Sequence, residues 1–261
     1  MGTNVAAATT PVGSAERFRR SEVAVPKHVP VPDPRSRPER AWPGSTKEPT
    51  MSDLVRGDDG KARCRWGASD ERYRAYHDTE WGRPVTEERG LYEKLSLECL
   101  QSGLSWALIL RKRDEIRAAL AGFDPDAVAA HGDQQIDALM QDPRVIRNRR
   151  KLEAIVQNAR ATVAMRAETP LPELVWSFRP PPGEAPRSYA DMVSLSDESR
   201  QLARELKRRG FAFVGPTTVY ATMQAVGLVN DHLAGCFVRE EVDAAQSAAL
   251  GNVQVFSPGD R

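Results

Sequence analysis

The chain has 261 residues, with 37 Lys+Arg against 36 Asp+Glu and 7% aromatic residues. That length suffices for one large domain or two small ones with a sizeable core. A formal charge of +1 excludes a strongly polybasic binder while leaving local basic patches open.

MGTNVAAATT lacks the basic-then-apolar order of a secretory signal, and Ala6 stands where a myristoylation signal needs Ser or Thr. No apolar run approaches the roughly 18 residues that cross a bilayer. Cys64, Cys99 and Cys236 cannot pair without a remainder, so they read as thiols of a reducing compartment. The expectation is a cytoplasmic protein with no membrane segment. Residues 1–60 hold 8 of the 19 prolines, and their only aromatics are Phe18 and Trp42. Such a segment buries too little apolar surface to offset the entropy of ordering, so it is expected to be a disordered Pro/Arg-rich extension. A partner-docking arm is the alternative.

From 61 to 238 apolar residues recur at three and four. The periodicity predicts helices over about 70–78, 87–101, 103–121, 124–130, 133–141, 143–166, 170–178, 196–209 and 217–228. Asp124-Pro125 marks one start, with Pro at a first helical position. GFAFVG at 210–215 has the composition of a short strand, but its glycines favour a tight hairpin. The fold class is therefore all-α. Residues 239–261 turn polar and are expected to form a flexible tail.

Cys64 and His77 lie near the start of this domain, and His232 and Cys236 lie four apart near its end. Two thiolates and two imidazoles would satisfy a closed tetrahedral Zn²⁺ site, a structural clip between the domain's ends. Without that ion they are unrelated core residues, and the spacing alone decides neither way. Cys99, in mid-helix, reads as a small buried hydrophobe. His28 and His131 are poor ligand candidates.

Between two helices, Arg204 and, within LKRRGFAFVGPT, Lys207, Arg208 and Arg209 lead into a loop bounded by Gly210 and Gly215, with Pro216 and Thr217 opening the next helix. Glycines let a backbone approach a ligand closely, and free N–H groups at a helix start favour an anion such as a DNA phosphate. An ordinary helix connection with a solvated basic end explains the same residues. RYRAYHDTEWG puts Tyr73, Tyr76 and His77 at i, i+3, i+4, and Glu98 shares a helical face with Leu91 and Leu95. A carboxylate on an apolar stripe needs a partner or a function. With Trp106 nearby it forms a receptacle for a flat, electron-poor ring, to which cation–π attraction would add.

CRWGASDERYRAYHDTEWGRPV, LECLQSGLSW, VWSF, LKRRGFAFVGPT and GLVNDHLAGC, in order through about residues 63–237, together resemble the 3-methyladenine DNA glycosylase I family. The resemblance implies a helix–hairpin–helix DNA glycosylase domain with one structural zinc held by Cys64, His77, His232 and Cys236. It also implies Glu98 as the catalytic, base-recognising carboxylate, a pocket of Tyr76 and Trp106 with Tyr73 and Trp81 alongside, and Leu104 as a wedge into DNA. Gly210, Gly215 and Thr217 become DNA-binding positions. The chain departs from the family in its long N-terminal extension and in Arg65, where small residues are frequent.

The implied activity is hydrolytic excision of 3-methyladenine from alkylated double-stranded DNA by a monomer. The nucleotide would be flipped out and its ring sandwiched between Tyr76 and Trp106. Thr217 stands where bifunctional relatives carry a Schiff-base lysine, so no AP lyase activity is expected. Asp231, beside His232, is the nearest candidate general base, although a structural role suits it better. The alternatives are a non-enzymatic DNA-binding protein on the same scaffold, which would need no base receptacle, and a zinc hydrolase, which would need an open metal position.

Overall fold

The computed structural model describes residues 53–250. These fall in one compact unit. Ten helices follow a two-stranded hairpin among these residues. They are α1 (Glu71–Thr79), α2 (Glu88–Gln101), α3 (Trp106–Ala119), α4 (Pro125–Ala129), α5 (Asp133–Gln141), α6 (Arg149–Met165), α7 (Leu171–Ser177), α8 (Asp197–Arg208), α9 (Pro216–Ala225) and α10 (Arg239–Leu250).

Caps set several of the starts. Asp70 accepts from the Tyr73 amide, Ser105 from Leu108, Asp124 from Asp126 and Ala127, and Asn148 from Lys151. These caps explain why α3 and α6 begin later than periodicity alone suggests. Before them, Gly103 and Pro143 sit in turns.

Helix α2 is the centre of the fold. Residues Leu95 to Leu100 are buried without a break, so no side of the helix's second half faces water. It packs on α3, α6, α7 and α9, and the hydroxyl of buried Tyr92 donates to the Ile155 carbonyl of α6 at 2.9 Å. Helix α9 ends at Gly227, whose φ is +79°. The Leu228 amide bonds back to Met223 and the Gly227 amide to Gln224, the pattern of a left-handed helix stop. A Cβ there would also lie 2.7 Å from the Gly82 carbonyl oxygen, so only glycine fits.

Two segments depart from the sequence expectation. Within the segment assigned to the extension, β1 (Leu54–Arg56) pairs antiparallel with β2 (Ala62–Cys64), Leu54 opposite Cys64. The domain therefore starts before residue 61 and carries a small sheet. Three-residue strands are too short to show alternation, although Asp59-Gly60 between them is a hairpin turn sequence.

At the other end, residues Arg239–Leu250, assigned to a loose tail, form α10. That helix buries a narrow face. Val242 is fully buried, and Gln246 donates to the carbonyls of Gly82 (2.8 Å) and Val229 (3.2 Å). So sparse an apolar stripe gives little periodic signal. The stretch at 210–215 is a turn and not a strand, as expected. His28 and the rest of the first 52 residues lie outside the described residues. No described helix is long and apolar enough to cross a membrane.

Candidate active site and metal centre

Helices α1, α2, α3 and α9 converge on a recess of about 300 Å³ lined by Trp66, Tyr73, Tyr76, Trp81, Glu98, Gln101, Trp106, Ala221 and Gln224. All five pocket residues expected from sequence are present. Trp66, Gln101, Ala221 and Gln224 were missed. Gln101 was accessible in principle, being one turn after Glu98 on the same face. Trp66 lies two residues after Cys64. Gln224 has no local signal, because α9 must first be docked against α2.

Glu98 is 7% exposed and its carboxylate has no hydrogen-bond partner among the described residues. Burial pushes its pKa up to about 7, against the pull of the Lys94 ammonium. Lys94 is itself held behind the wall, 3.3 Å from Glu80 and 5.0 Å above the Tyr76 ring, and Arg113 pairs with both oxygens of Glu80. Neighbouring positive charge is thus absorbed by Glu80, and Glu98 keeps free acceptors toward the recess.

Tyr76 and Trp106 are in contact, with centroids 5.2 Å apart and planes at 46°. A ring sandwiched between two plates needs them about 7 Å apart, twice a stacking distance of roughly 3.5 Å. The two residues therefore form one continuous wall in this structure. Trp66 and Trp81 meet edge to face at 4.9 Å and form a second wall. The Trp106 Nε1 is buried without a partner.

Cys64, His77, His232 and Cys236 come together in the core, with one ligand atom from each all within 4.8 Å of one another. The Sγ of Cys236 lies 3.4 Å from His77 Nε2 and 3.7 Å from His232 Nδ1, and the Sγ of Cys64 lies 3.9 Å from the same Nδ1. A tetrahedral ion with ordinary metal–sulfur and metal–nitrogen bonds would separate such donors by about 3.5 Å.

The outer shell fixes both imidazoles. The carboxylate of Asp78 can only accept, so His77 Nδ1 carries the proton (2.8 Å) and Nε2 is left bare toward the sulfurs. In the same way the Trp81 carbonyl takes the proton of His232 Nε2 at 3.1 Å and leaves Nδ1 bare. Arg63, 3% exposed, grips Asp78 and Asp59. The Cys236 thiol is driven well below its usual pKa by the Cys64 sulfhydryl first and by both histidines, whereas the Cys64 thiol is pushed up by its hydrogen bond to Cys236 and by burial. This buried group can bind a metal ion.

The loop between α8 and α9 turns at Gly210 (φ +93°) and Phe213 (φ +56°). Its apolar residues Phe211 and Val214 are buried, whereas Phe213 is exposed. A Cβ at Gly210 or Gly215 would meet nothing within 4 Å, so both open onto free space. Thr217 is exposed, and the amides of Thr217 and Thr218 have no partner among the described residues.

Leu104 is exposed in the loop between α2 and α3. Both loops are tied to α6. The buried Lys151 ammonium donates to the carbonyls of Leu100 (2.7 Å) and Ser102 (2.5 Å) at the end of α2. Two turns on, Gln157 donates to Gly210 (2.6 Å), and the Asn158 amide both donates to and accepts from Ala212. One helix thus anchors both the end of α2, which leads to Leu104, and the loop between α8 and α9. Arg111, Arg147, Arg150, Arg204 and Lys207 are exposed with no acidic partner among the described residues.

Asp231 does not line the recess. It sits behind Gln224, where its Oδ2 accepts from Tyr220 (2.9 Å) and from the Gln224 amide (2.7 Å).

The profile of the methyladenine glycosylase family matches residues 66–240. The chain is 44% identical over 177 residues to DNA-3-methyladenine glycosylase 1 of Escherichia coli (strain K12), covering 67% of this chain and 95% of that protein. It is 43% identical over 178 residues to DNA-3-methyladenine glycosylase of Haemophilus influenzae, covering 67% and 96%. A crystal structure of 3-methyladenine DNA glycosylase I superposes with a TM-score of 0.65 at 44% identity, over 67% of this chain and 98% of that one. The Staphylococcus aureus enzyme, solved to explain 3-methyladenine recognition, gives 0.65 at 35% identity, over 68% and 96%. With the recess, three of the four Cys/His cluster residues and the α8–α9 loop inside the matched span, the chain belongs to the methyladenine glycosylase family.

Proposed function

We propose that this protein is a monofunctional DNA glycosylase of base excision repair that removes 3-methyladenine from alkylated double-stranded DNA in the cytoplasm. The observation that carries this reading is the buried, unpartnered Glu98 in an aromatic recess. An acceptor kept out of water without a partner is costly unless a ligand supplies donors. A purine alkylated at N3 is cationic and carries an amino group, so it brings both charge and donors. Its positive charge also weakens the bond to the sugar, so the protein needs to supply less activation. The ring lies against the Tyr76–Trp106 wall, and Tyr73, Trp81 and Trp66 close the remaining sides. Water attacks an oxocarbenium-like sugar once the base departs.

Reaching that recess requires flipping the nucleotide out of the duplex, at a cost of a few kcal/mol. Leu104 fills the vacated stack, as apolar wedges do elsewhere. Gly210, Gly215 and Thr217 form the hairpin of a helix–hairpin–helix element that receives a backbone phosphate, with Arg204 and Lys207 adding charge. Cys64, His77, His232 and Cys236 hold one structural Zn²⁺. When bound, that ion clips the two ends of the domain and has no open position for chemistry. The donor set, the bare ring nitrogens and the outer shell of Asp78 and the Trp81 carbonyl all fit it.

No lysine follows the hairpin, so no Schiff base forms and the sugar–phosphate backbone stays intact. The test is incubation with dimethyl sulfate-treated duplex DNA and chromatography of the released bases, with borohydride trapping as a lyase control. Free 3-methyladenine without a trapped adduct is the expected result. DNA binding with no released base would make the protein a scaffold-sharing DNA binder instead.

A further inference from the structure

Two glutamines face the recess beside Glu98, and the protein has already committed the nitrogen end of each amide. Gln101 donates to the Leu104 carbonyl at 3.4 Å. Gln224 is held more tightly. Its Nε2 donates to Asp231 Oδ2 at 2.7 Å, the same oxygen that takes the Tyr220 hydroxyl at 2.9 Å. A carboxylate oxygen has no proton to offer here, so the amide cannot be turned over without losing that bond.

The Gln224 backbone is also fixed, because its carbonyl accepts from the Gly82 amide at 3.1 Å. What remains is Oε1, which has no partner among the described residues. Gln224 lines the recess, whereas Asp231 and Tyr220 line a separate cavity on its far side. The oxygen is therefore the end that a bound ring would meet.

We propose that Gln224 is a specificity-determining residue that presents a fixed carbonyl to the amino-bearing edge of the alkylated purine, and that Asp231 is the positioning residue that sets this polarity. The inference rests on the glycosylase reading and deepens it. An adenine-type ring brings N–H groups to that edge and satisfies the acceptor. A guanine-type ring alkylated at the same nitrogen brings a carbonyl, which faces the Gln224 oxygen with no proton between them. Recognition through a buried hydrogen bond discriminates against the ring that cannot complete it far better than shape does.

The decisive variant is Asp231→Leu, which removes the oxygen that holds the Gln224 nitrogen at similar volume. The Gln224 amide is then free to turn over and offer its NH₂ group to a ring carbonyl in the recess. Release of 3-methyladenine and of 3-methylguanine is measured from the same dimethyl sulfate-treated duplex DNA. The ratio of kcat/KM for the two bases is expected to fall roughly 10- to 100-fold.

Adding Gln224→Glu to this variant should restore the ratio, because both ends of a carboxylate accept and neither can donate to a ring carbonyl. Should Asp231→Leu fail to fold, as judged by melting temperature and zinc content, Gln224→Met removes the acceptor at similar volume and must lower the ratio. An unchanged ratio in a folded variant overturns the inference, as does a loss that the double variant does not recover. Were the wild-type protein to release neither base, the glycosylase reading would fall first and this one with it. An active wild type with an unmoved ratio sinks only the role of Gln224.

Discussion

The carbonyl of Trp81 accepts the Nε2 proton of His232 at 3.1 Å, and the Trp81 indole packs edge-on against the same imidazole at 4.6 Å. Because Trp81 also lines the recess, it joins the Cys/His cluster to the aromatic pocket. Orienting His232 for a metal orients a wall of the pocket. Cys236→Ser should therefore reduce bound zinc from one equivalent to near zero. Since metal binding contributes directly to folding, the melting temperature should drop by more than about 6 °C. Tryptophan emission should change as well. Unaltered melting with full activity would rule out a structural ion.

Glu98 links stability to pH in a direction of its own. Its pKa is raised from 4.5 to about 7, mainly by burial. The folded state therefore prefers the neutral acid, and the wild type loses stability as pH rises from about 4.5 to about 7. Glu98→Gln removes that penalty. The variant should be more stable than wild type at pH 8, by up to about 3 kcal/mol, and show no advantage at pH 4. Excision should nevertheless fall about 100-fold. Wild-type kcat/KM should decline below about pH 7, and the variant's should not. Equal melting curves at pH 8 would contradict the burial argument.

Leu104 is exposed, and its truncation leaves the core untouched. Leu104→Ala should change stability by less than about 0.5 kcal/mol. Excision from duplex DNA should drop at least about 10-fold through loss of the wedge, with a much smaller effect on single-stranded substrate, where no stack must be opened. Equal losses on both substrates would refute the wedge.

Asn158 is fully buried and spends both ends of its amide on Ala212. Asn158→Leu leaves two backbone groups unsatisfied, at about 1–3 kcal/mol each. The hairpin should loosen, and DNA affinity should weaken more than binding of the free base. Intact DNA affinity would mean that the hairpin does not touch DNA.

The hairpin of β1 and β2 separates two truncations. Removing residues 1–52 should leave melting temperature and excision within error of the full chain. Removing residues 1–60 deletes β1 and Asp53, whose carboxylate accepts from the Tyr189 amide at 3.1 Å and whose carbonyl accepts from Arg65. The second truncation should melt several degrees lower. Identical melting of both would show that the small sheet carries no stability.

The chain order of the helices was legible because α2, α6 and α8 repeat their apolar residues at helical spacing, and because Asp124-Pro125 announces a start. Tyr73, Tyr76, Trp81, Glu98 and Trp106, and the Cys64, His77, His232 and Cys236 set, were legible through the family motifs that carry them, whereas Trp66 was not. The β1–β2 hairpin and α10 were not, since three-residue strands and a helix buried only at Val242 and Gln246 leave no periodic trace. The contact between Tyr76 and Trp106 and the polarity of Gln224 were decided only by tertiary structure. Each depends on where α1, α3, α9 and Asp231 lie relative to one another. Local spacing records which face a side chain occupies, whereas hydrogen-bond direction and ring distance arise only when separate faces meet.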